Sequence, residues 1–590
     1  MKSRIFCVSV SLLLCAGLLT PNETVEESRR ASGIIAAYAA NRDQGIGNYV
    51  THDSILLGQE LCLEEGTAQA EESLFAPQVE AIVQALLVAA VKAADSPVTV
   101  ANRQFLQVLS ALSTGKAPAD AGPVKDEVDK ILTGQGISAS GILPETIDYT
   151  QFRVRGYYTR SPELSRYFQT VRYAGTVLFA IKESAATGID AKQADLLTEQ
   201  AMQLAGWIAA APKTKLAYDD YVHKTGLLFG VPDDLILSDL SSVRAMKGTS
   251  AQRAALLTTA QNMGRQPQVL SGLVDIGKLE KGVTASDALT GWRLFPQRRS
   301  PDGAAFQQLI FANVREYQGS KEPRSMDIIN GQKVKAFPLA MELPALLGNT
   351  AAMSALDASD ERNFQGYPAA FAKAQKLMAA SSELSSWLPV MRQLLTVKTG
   401  NPEDSQQLLT TGMAYWTRNR HRNLLYAKQS YTPVAKGMAL PMPRKVAYLE
   451  PSTGVYKALL GQVQAVSPAL KPETAKALKA ILEKCIVIST KETSNTALAP
   501  EEMAFLNDID AQFLKIAGRE DAPVVVDVHT NPSSQQVLEE AVGYVQIVDF
   551  KLPKSETPLR GARLTHAEFR QPMNDRMTDE EWQIRARAAK

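Results

Sequence analysis

The sequence predicts a mainly α-helical protein with a small antiparallel β-sheet near its C-terminus. Apolar residues recur at helical spacing over most of the chain, and capping residues stand at the starts of these runs. Alternation with the period of a strand is clear in residues 523–550. Apolar residues make up 45% of the chain and charged residues 21%, which is ordinary for a globular protein. These observations favour a multi-helix body with a minor β part.

Residues 523–550 contain the clearest strand pattern together with a polar cluster. In residues 524–529, three valines alternate with a second set that includes Asp527 and His529. Because side chains of a strand alternate between its faces, Asp527 and His529 are expected to point the same way, toward the helical body. Both faces of this strand are expected to be covered. Turn residues follow at 531–534, residues 535–541 are expected to form a short helical turn, and residues 543–550 a second strand.

A third strand is expected in residues 559–569, with His566 and Glu568 on one of its faces. Carboxylate and imidazole are normal ligands of zinc and iron. The pattern therefore makes Asp527, His529, His566 and Glu568 candidate ligands of a divalent, zinc-like metal, with Glu539 as a candidate catalytic carboxylate. The alternative is that these groups hydrogen-bond to one another, or to loop backbone, at a solvated sheet edge.

A second marked stretch is residues 409–431, which read as one helix. His421 and Lys428 fall on the same face at helical spacing, and both are candidate catalytic groups. The alternative, which we favour, is a basic helix surface whose aromatic residues, such as Tyr415 and Trp416, pack inward.

Residues 1–20 are expected to be a signal peptide. Lys2 and Arg4 precede the short apolar run 5–14, and small residues follow as far as Gly17, where cleavage is expected. This pattern predicts an extracytoplasmic protein, periplasmic or secreted. Cys15 also suggests a lipid anchor, but Leu14 is a poor residue before a lipidated cysteine, so simple export is the better interpretation. An uncleaved N-terminal anchor is the alternative.

Beyond the signal, we expect an N-terminal helical region (21–150), a helical body (151–520) and a sheet with a C-terminal helix (521–590). No run in the mature chain reads as a membrane span, and the net charge of +1 gives no basic footprint for nucleic acid. The mature chain has two cysteines, Cys62 and Cys485, which either pair or are buried thiols.

Several blocks, in order, resemble the bacterial domain of unknown function 3160 family. They are NYVTHDSILL, YTRSPELSRYF, HRNLLYAKQSY, YLEPSTGVYKALL, VVVDVHTNPSSQQVLEEAVGY and EFRQPMNDRMTDEEW. The resemblance covers most of the mature chain and implies an exported protein or lipoprotein. It brings no activity, so no residue role is transferred. This chain departs from the family pattern at Arg422, where an acidic residue is usual, and at His566, where an aromatic residue is usual. A site that uses His566 would therefore be particular to this protein.

Two functions compete at this point. The first is a non-catalytic envelope or extracellular protein that binds an unidentified protein or polymer, since no established catalytic motif is present in the sequence. The second is an exported metal-dependent hydrolase with its site at the C-terminal sheet, in which a bound metal would activate water. The metal content of the purified protein distinguishes these two functions.

Overall fold

The structure is a computed structural model, and most of the residues it describes lie in helices, so the predicted mainly α-helical fold is confirmed. It describes residues 30–118, 121–143, 146–267, 269, 288–311, 313–329, 331–381, 385–399, 401–428, 447–494, 496–550 and 558–588. The predicted signal peptide lies outside the described residues. The chain divides into two compact units. The first comprises Met1–Thr67, Leu309–Leu424 and Tyr431–Lys590, and the second comprises Ala68–Gln308 and Leu425–Ser430. The boundary at Thr67 falls inside the helix His52–Ala70.

The helices of the first unit begin with recognisable capping chemistry. Asn401, for example, accepts a hydrogen bond from the Asp404 amide, and Pro402 follows it at the first helical position. Besides the N-terminal part of His52–Ala70, the helices of this unit are Ile34–Asp43, Glu342–Leu346, Thr350–Ala358, Tyr367–Ala380, Leu388–Leu394, Pro402–Arg422, Thr453–Val466, Pro472–Thr493, Pro500–Asn507, Ile509–Ala517 and Asp579–Ala588. Short 3₁₀ turns lie at Ser467–Ala469 and Met573–Asp575.

The strands of the first unit form two sheets and a hairpin. A mixed five-stranded sheet has the spatial order Arg30–Ala31, Val545–Phe550, Leu559–Arg563, Asn48–Val50, Ala447–Leu449. An antiparallel three-stranded sheet has the order Val524–Asn531, Gln536–Val542, Ala567–Pro572. The hairpin consists of Met326–Ile329 and Gln332–Lys335. The helix Pro402–Arg422 and the last helix, Asp579–Ala588, both pack on the three-stranded sheet.

The β part differs from the prediction in three ways. Residues 524–569 contribute to two sheets rather than one, and the predicted third strand is split into Leu559–Arg563 and Ala567–Pro572. Strands also occur far from the C-terminus. Finally, the predicted helical turn is the central strand Gln536–Val542. Because this strand is buried on both faces, it shows no apolar–polar alternation, and short runs of this kind resemble a helix in sequence.

The second unit is mainly helical in its described residues. Its helices, after the C-terminal part of His52–Ala70, are the π-helical turn Glu71–Phe75, then Ala76–Lys92, Pro97–Thr114, Pro123–Thr133, Pro162–Thr176, Ala191–Ala210, Pro212–Phe229, Leu237–Val243, Thr249–Asn262 and Pro301–Leu309, with 3₁₀ turns at Tyr149–Phe152 and Gly156–Arg160. Two small antiparallel pairs join Ile137–Ala139 to Thr146–Asp148 and Phe179–Ala180 to Gly291–Trp292. Ser161 caps its helix as the sequence predicts, by accepting from the Leu164 amide.

Cys62 and Cys485 are both free and buried. Of the two interpretations of these cysteines, the structure therefore agrees with buried thiols.

One helical stretch within the described chain, His52–Lys92, is long and apolar enough to cross a membrane by length and composition. Core helices of globular proteins meet the same test, so this stretch is weak evidence for a membrane span. The expectation that the mature chain has none therefore stays a prediction.

Candidate functional site

A β-bulge separates Asp527 from His529 in the three-stranded sheet. Asp527 lies opposite Glu539 on the neighbouring strand, whereas His529 lies opposite Leu538. Because Leu538 and Glu539 are consecutive, they point to opposite faces, and so do their partners. The prediction that Asp527 and His529 point the same way is therefore wrong. The extra residue Val528 shifts the alternation by one position.

Asp527 belongs to the face of this sheet that packs on the last helix, which we call the helix-side face. Val525 and Ala541 of this face lie in one apolar cluster with residues of Asp579–Ala588. The Asp527 carboxylate lies 3.0 Å from the Arg576 guanidinium, and neither side chain is exposed. The predicted covering of both strand faces is confirmed, since the strand is buried along almost its whole length.

Glu539 also lies on the helix-side face, opposite Asp527. Neither of its carboxyl oxygens has a hydrogen-bond partner among the described residues, although the side chain is fully buried. Burial raises the pKa of Glu539 well above its usual range, and the Arg585 charge only partly opposes this shift. The interior therefore favours the protonated form of Glu539, which lies beside the Asp527–Arg576 ion pair.

His529 lies on the opposite face, which we call the hairpin-side face because it meets the segment that follows the hairpin strand Gln332–Lys335. Its ring is edge-on to Phe337, with 5.5 Å between ring centroids, and it hydrogen-bonds the Ala336 backbone. Burial, opposed by the Ala336 hydrogen bond and aided by the charges of Arg570 and Lys335, lowers the pKa of His529 to about 3. His529 is thus a neutral, packed histidine.

Replacement of His529 by alanine is expected to lower the stability at pH 7 by about 2–4 kcal/mol, because a packed ring is lost. The folded pKa of about 3 lies below the unfolded value of about 6.5. The native state therefore loses stability as the pH falls from 6.5 toward 3, and the variant does not. The difference in unfolding free energy between the unaltered protein and the variant should therefore be smaller by about 2–3 kcal/mol at pH 4.5 than at pH 7. Urea unfolding at these two pH values measures this difference. A gap that widens in acid, or loss of a bound metal from the variant, would contradict this assignment.

The most accessible cluster of ionisable groups around the predicted site residues is also on the hairpin-side face. We call it the Glu540 cluster, and its members are Glu540, His566, Glu568 and Arg324. His566 Nε2 lies 2.8 Å from Glu540 Oε2. Glu568 lies opposite Glu540 on the neighbouring strand and accepts hydrogen bonds from Arg324, at 2.9 Å, and from the Ala340 amide, at 2.8 Å. The cluster runs from fully buried Glu540 to Arg324, whose side chain is 52% exposed.

The Glu540 cluster brings two carboxyl groups and an imidazole together in the protein interior. Burial raises the pKa of Glu540 well above its usual range, and the charge of Glu568 and a hydrogen bond to it add to this shift. Burial lowers the pKa of His566 to about 4, although Glu568 opposes the shift. The interior therefore favours the protonated form of Glu540 and the neutral form of His566, beside the arginine-bound Glu568. Such a set can exchange protons, but an acid–base role also requires a substrate within hydrogen-bond reach.

His421 is fully buried in the first unit between two carboxylates. Its Nδ1 lies 2.8 Å from Glu64 Oε2, and its Nε2 lies 2.9 Å from Asp579 Oδ2. Burial alone would lower the pKa of His421, but the charges of Asp579 and Glu64 outweigh it and raise the pKa to about 9. Because both ring nitrogens face acceptors, both carry protons and the ring is an imidazolium. Arg519 also binds Glu64, so His421 is part of a charged interior network.

Lys428 does not share a helical face with His421. The helix Pro402–Arg422 ends before Lys428 is reached, so the predicted helix 409–431 is too long at its C-terminal end. In the second unit, the buried Lys428 ammonium contacts Asp233 and lies 3.3 Å from Asp234. The favoured interpretation of a basic helix surface is also wrong, because every residue from Thr411 to Arg422 is buried.

The four candidate metal ligands are not brought together. Asp527 lies on the helix-side face, whereas His529 and Glu568 lie on the hairpin-side face. Within the described parts of the chain, no group of three or more His, Cys, Asp and Glu side chains is arranged to hold a metal ion. His566 and Glu568 do meet, and sequence reasoning missed their partners Glu540 and Arg324. Alternation within a correctly assigned strand Gln536–Val542 could have indicated Glu540, but nothing local indicates Arg324.

Comparison with known proteins gives one result that covers almost the whole chain. No curated protein and no solved structure matches it. A family model described as "Protein of unknown function (DUF3160)" matches residues 16–590, so the chain belongs to the DUF3160 family of proteins of unknown function.

Proposed function

We propose that this protein acts outside the cytoplasm as a non-catalytic binding or structural protein of the cell envelope. Its partner would be a protein or an insoluble envelope polymer. The location rests on the sequence of residues 1–17, where two basic residues, a short apolar run and small residues follow one another as in exported proteins.

One observation carries the non-catalytic part of this proposal. Three of the ionisable side chains that stood out as candidate catalytic groups or ligands are held in ion pairs within the protein interior. Asp527 pairs with Arg576, His421 lies between Glu64 and Asp579, and Lys428 contacts Asp233 and Asp234. Groups held in buried ion pairs shape and specify a fold, and they cannot easily reach a substrate.

The competing metal-dependent hydrolase has no structural support. Its candidate ligands are divided between the two faces of the three-stranded sheet. Burial also favours the protonated form of Glu540, the acid beside His566, whereas a carboxyl group must lose its proton to bind a metal ion. The Glu540 cluster is the part of this alternative that remains testable, because it reaches the surface through Arg324.

The test uses the full chain expressed in a bacterial host. We expect a mature protein cleaved near Gly17 in the extracytoplasmic fraction, without a stoichiometric divalent metal. Because these candidate groups are held in buried ion pairs, we expect it to turn over none of a set of ester, phosphoester and glycoside reporter substrates. It should instead co-sediment saturably with an insoluble envelope fraction from cells that lack it.

The control is the Glu540→Gln variant, which removes the buried acid and keeps the shape of the side chain. It should bind the envelope fraction as the unaltered protein does. Turnover that this substitution or a chelator abolishes would refute the non-catalytic role. Recovery of a chain beginning at Met1 from the cytoplasm would refute the location, and absence of saturable sedimentation would refute envelope binding.

A further inference from the structure

Arg298 occupies an unusual position in the interior of the second unit. Only 1% of it is exposed. Its backbone is fixed, because its amide donates to the Tyr426 carbonyl at 2.7 Å and its carbonyl accepts from the Lys428 amide at 3.0 Å. The side chain therefore starts from a rigid point, and its position inside the unit is set by the fold.

The guanidinium group of Arg298 is only partly satisfied. Its Nη2 donates to the Thr225 hydroxyl at 2.5 Å. Its Nε and Nη1 have no hydrogen-bond partner among the described residues. These two atoms carry three of the five N–H bonds of the group. A buried donor without an acceptor is costly, and more so when it is charged, so such a group normally has a bound water or ion beside it.

The charge of Arg298 also has no close counter-ion in the part of the chain that the structure describes. The groups that act on it most strongly are four tyrosines: Tyr221, Tyr426, Tyr218 and Tyr167. The carboxylates of Asp233 and Asp234 in the same unit contact two other cations, Lys428 and Arg293. Burial accordingly lowers the pKa of Arg298, as expected for a cation removed from water without a carboxylate partner.

Hydroxyl groups gather near this guanidinium. Tyr167, Tyr221 and Tyr426 form a triangle, with 3.4 Å between the Tyr167 and Tyr221 oxygens, 3.3 Å between those of Tyr221 and Tyr426, and a short contact between those of Tyr167 and Tyr426. The Phe229 ring stacks on Tyr426 at 4.0 Å, and the Phe295 ring packs edge-on to Tyr221. Phenol hydroxyls are good donors to anions, and the aromatic rings keep bulk water out.

We propose that a small monovalent anion, a halide or a carboxylate, binds in the second unit beside Arg298, held by the free guanidinium N–H groups and enclosed by the neighbouring aromatic rings. The Arg298 side chain lacks a hydrogen-bond acceptor and a negative charge, and the anion supplies both. A buried water would supply the acceptor alone. Because the anion binds the folded state and not the unfolded chain, it stabilises the protein by mass action.

Thermal unfolding in chloride tests the proposal with the full chain. Ionic strength is held constant with gluconate, a larger anion, while chloride is raised a hundredfold. We expect the melting temperature to rise by a few degrees with chloride, and acetate in a parallel series shows whether small carboxylates act in the same way. The Arg298→Met variant should lose the dependence. Arg103→Met, which removes a partly exposed arginine of the same unit paired with Asp95, should keep it. Equal chloride dependence in all three proteins would overturn the proposal.

A second measurement decides the matter if Arg298→Met does not fold. Crystals of the unaltered protein soaked in bromide should give an anomalous peak within hydrogen-bond distance of Arg298 Nε or Nη1. A water molecule at that position, without an anomalous signal and with chloride-independent melting of the unaltered protein, would overturn the proposal.

Discussion

Replacement of Arg576 by methionine is expected to destabilise the folded protein by about 3–5 kcal/mol at pH 7. Arg576 lies 3.0 Å from Asp527, and neither side chain is exposed, so the substitution leaves a carboxylate buried without its cation. The variant can relieve the charge only if Asp527 itself takes up a proton, so the loss should be smaller at pH 4 than at pH 7.

A double-mutant cycle separates this pair from simple loss of packing. Asp527→Asn alone leaves Arg576 unbalanced and should also be strongly destabilising. The double variant Asp527→Asn/Arg576→Met removes both charges and should be less destabilised than the sum of the single variants. Urea unfolding at pH 7 gives the three free energies.

The matched control is Arg324→Met, which breaks an arginine–carboxylate pair on the other face of the same sheet. Arg324 is 52% exposed, so its pair with Glu568 is screened by water, and the expected loss is about 1 kcal/mol or less. Additive effects for the buried pair, or equal losses for Arg576→Met and Arg324→Met, would show that the Asp527–Arg576 pair has no special role in stability.

For the strand that carries Asp527, the sequence predicts the strand itself but not its β-bulge. Alternating valines predicted the strand Val524–Asn531 and its burial, because period two and β-branched residues are local signals. The bulge at Val528 was not predictable. No glycine marks it, and it arises from the register with the strand Gln536–Val542, which is itself fixed by packing on both faces. One extra residue then moved His529 to the opposite face and separated the predicted site residues.

The prediction that the helix Pro402–Arg422 has a basic, exposed surface was wrong for a different reason. Its helical period was evident, but arginine and histidine are usually exposed, so a basic surface was the natural interpretation. The charged residues are buried because their partners are provided by a helix more than three hundred residues earlier in the chain. Arg422 lies 3.0 Å from Glu60, and His421 lies 2.8 Å from Glu64. Burial of these charges without partners would cost too much free energy. Their partners lie so far away in the sequence that no local pattern indicates them.

Replacement of His421 by glutamine is expected to destabilise the protein in a strongly pH-dependent way. The folded pKa of His421 is about 9, raised by Asp579 and Glu64 against the effect of burial, and the unfolded value is about 6.5. The imidazolium therefore contributes its full stabilisation, about 3 kcal/mol, below pH 6.5. That contribution falls as the pH rises toward 9 and is absent above it. Glutamine cannot carry the charge, so the variant lacks this contribution at every pH.

The measurement is the difference in unfolding free energy between the unaltered protein and His421→Gln, at pH 6 and at pH 9. Using the difference removes other groups that titrate in this range. We expect it to shrink by about 3 kcal/mol as the pH rises. His52 offers a second case in the same unit, because its Nδ1 lies 2.8 Å from Glu450. Burial lowers the pKa of His52, but the charge of Glu450, a hydrogen bond to it and the charge of Asp53 together raise that pKa to about 9.

The His52→Gln variant should therefore lose its own pH-dependent contribution to the unfolding free energy. The double variant should lose the sum of the two contributions, since the two histidines contact different carboxylates. A difference for His421→Gln that is constant from pH 6 to pH 9 would mean that its ring is neutral. One of the two carboxylates would then have to hold the proton, and the ion-pair network around Glu64 would be organised by Arg519 alone. The pH series thus tests the protonation state on which the structural role of His421 depends.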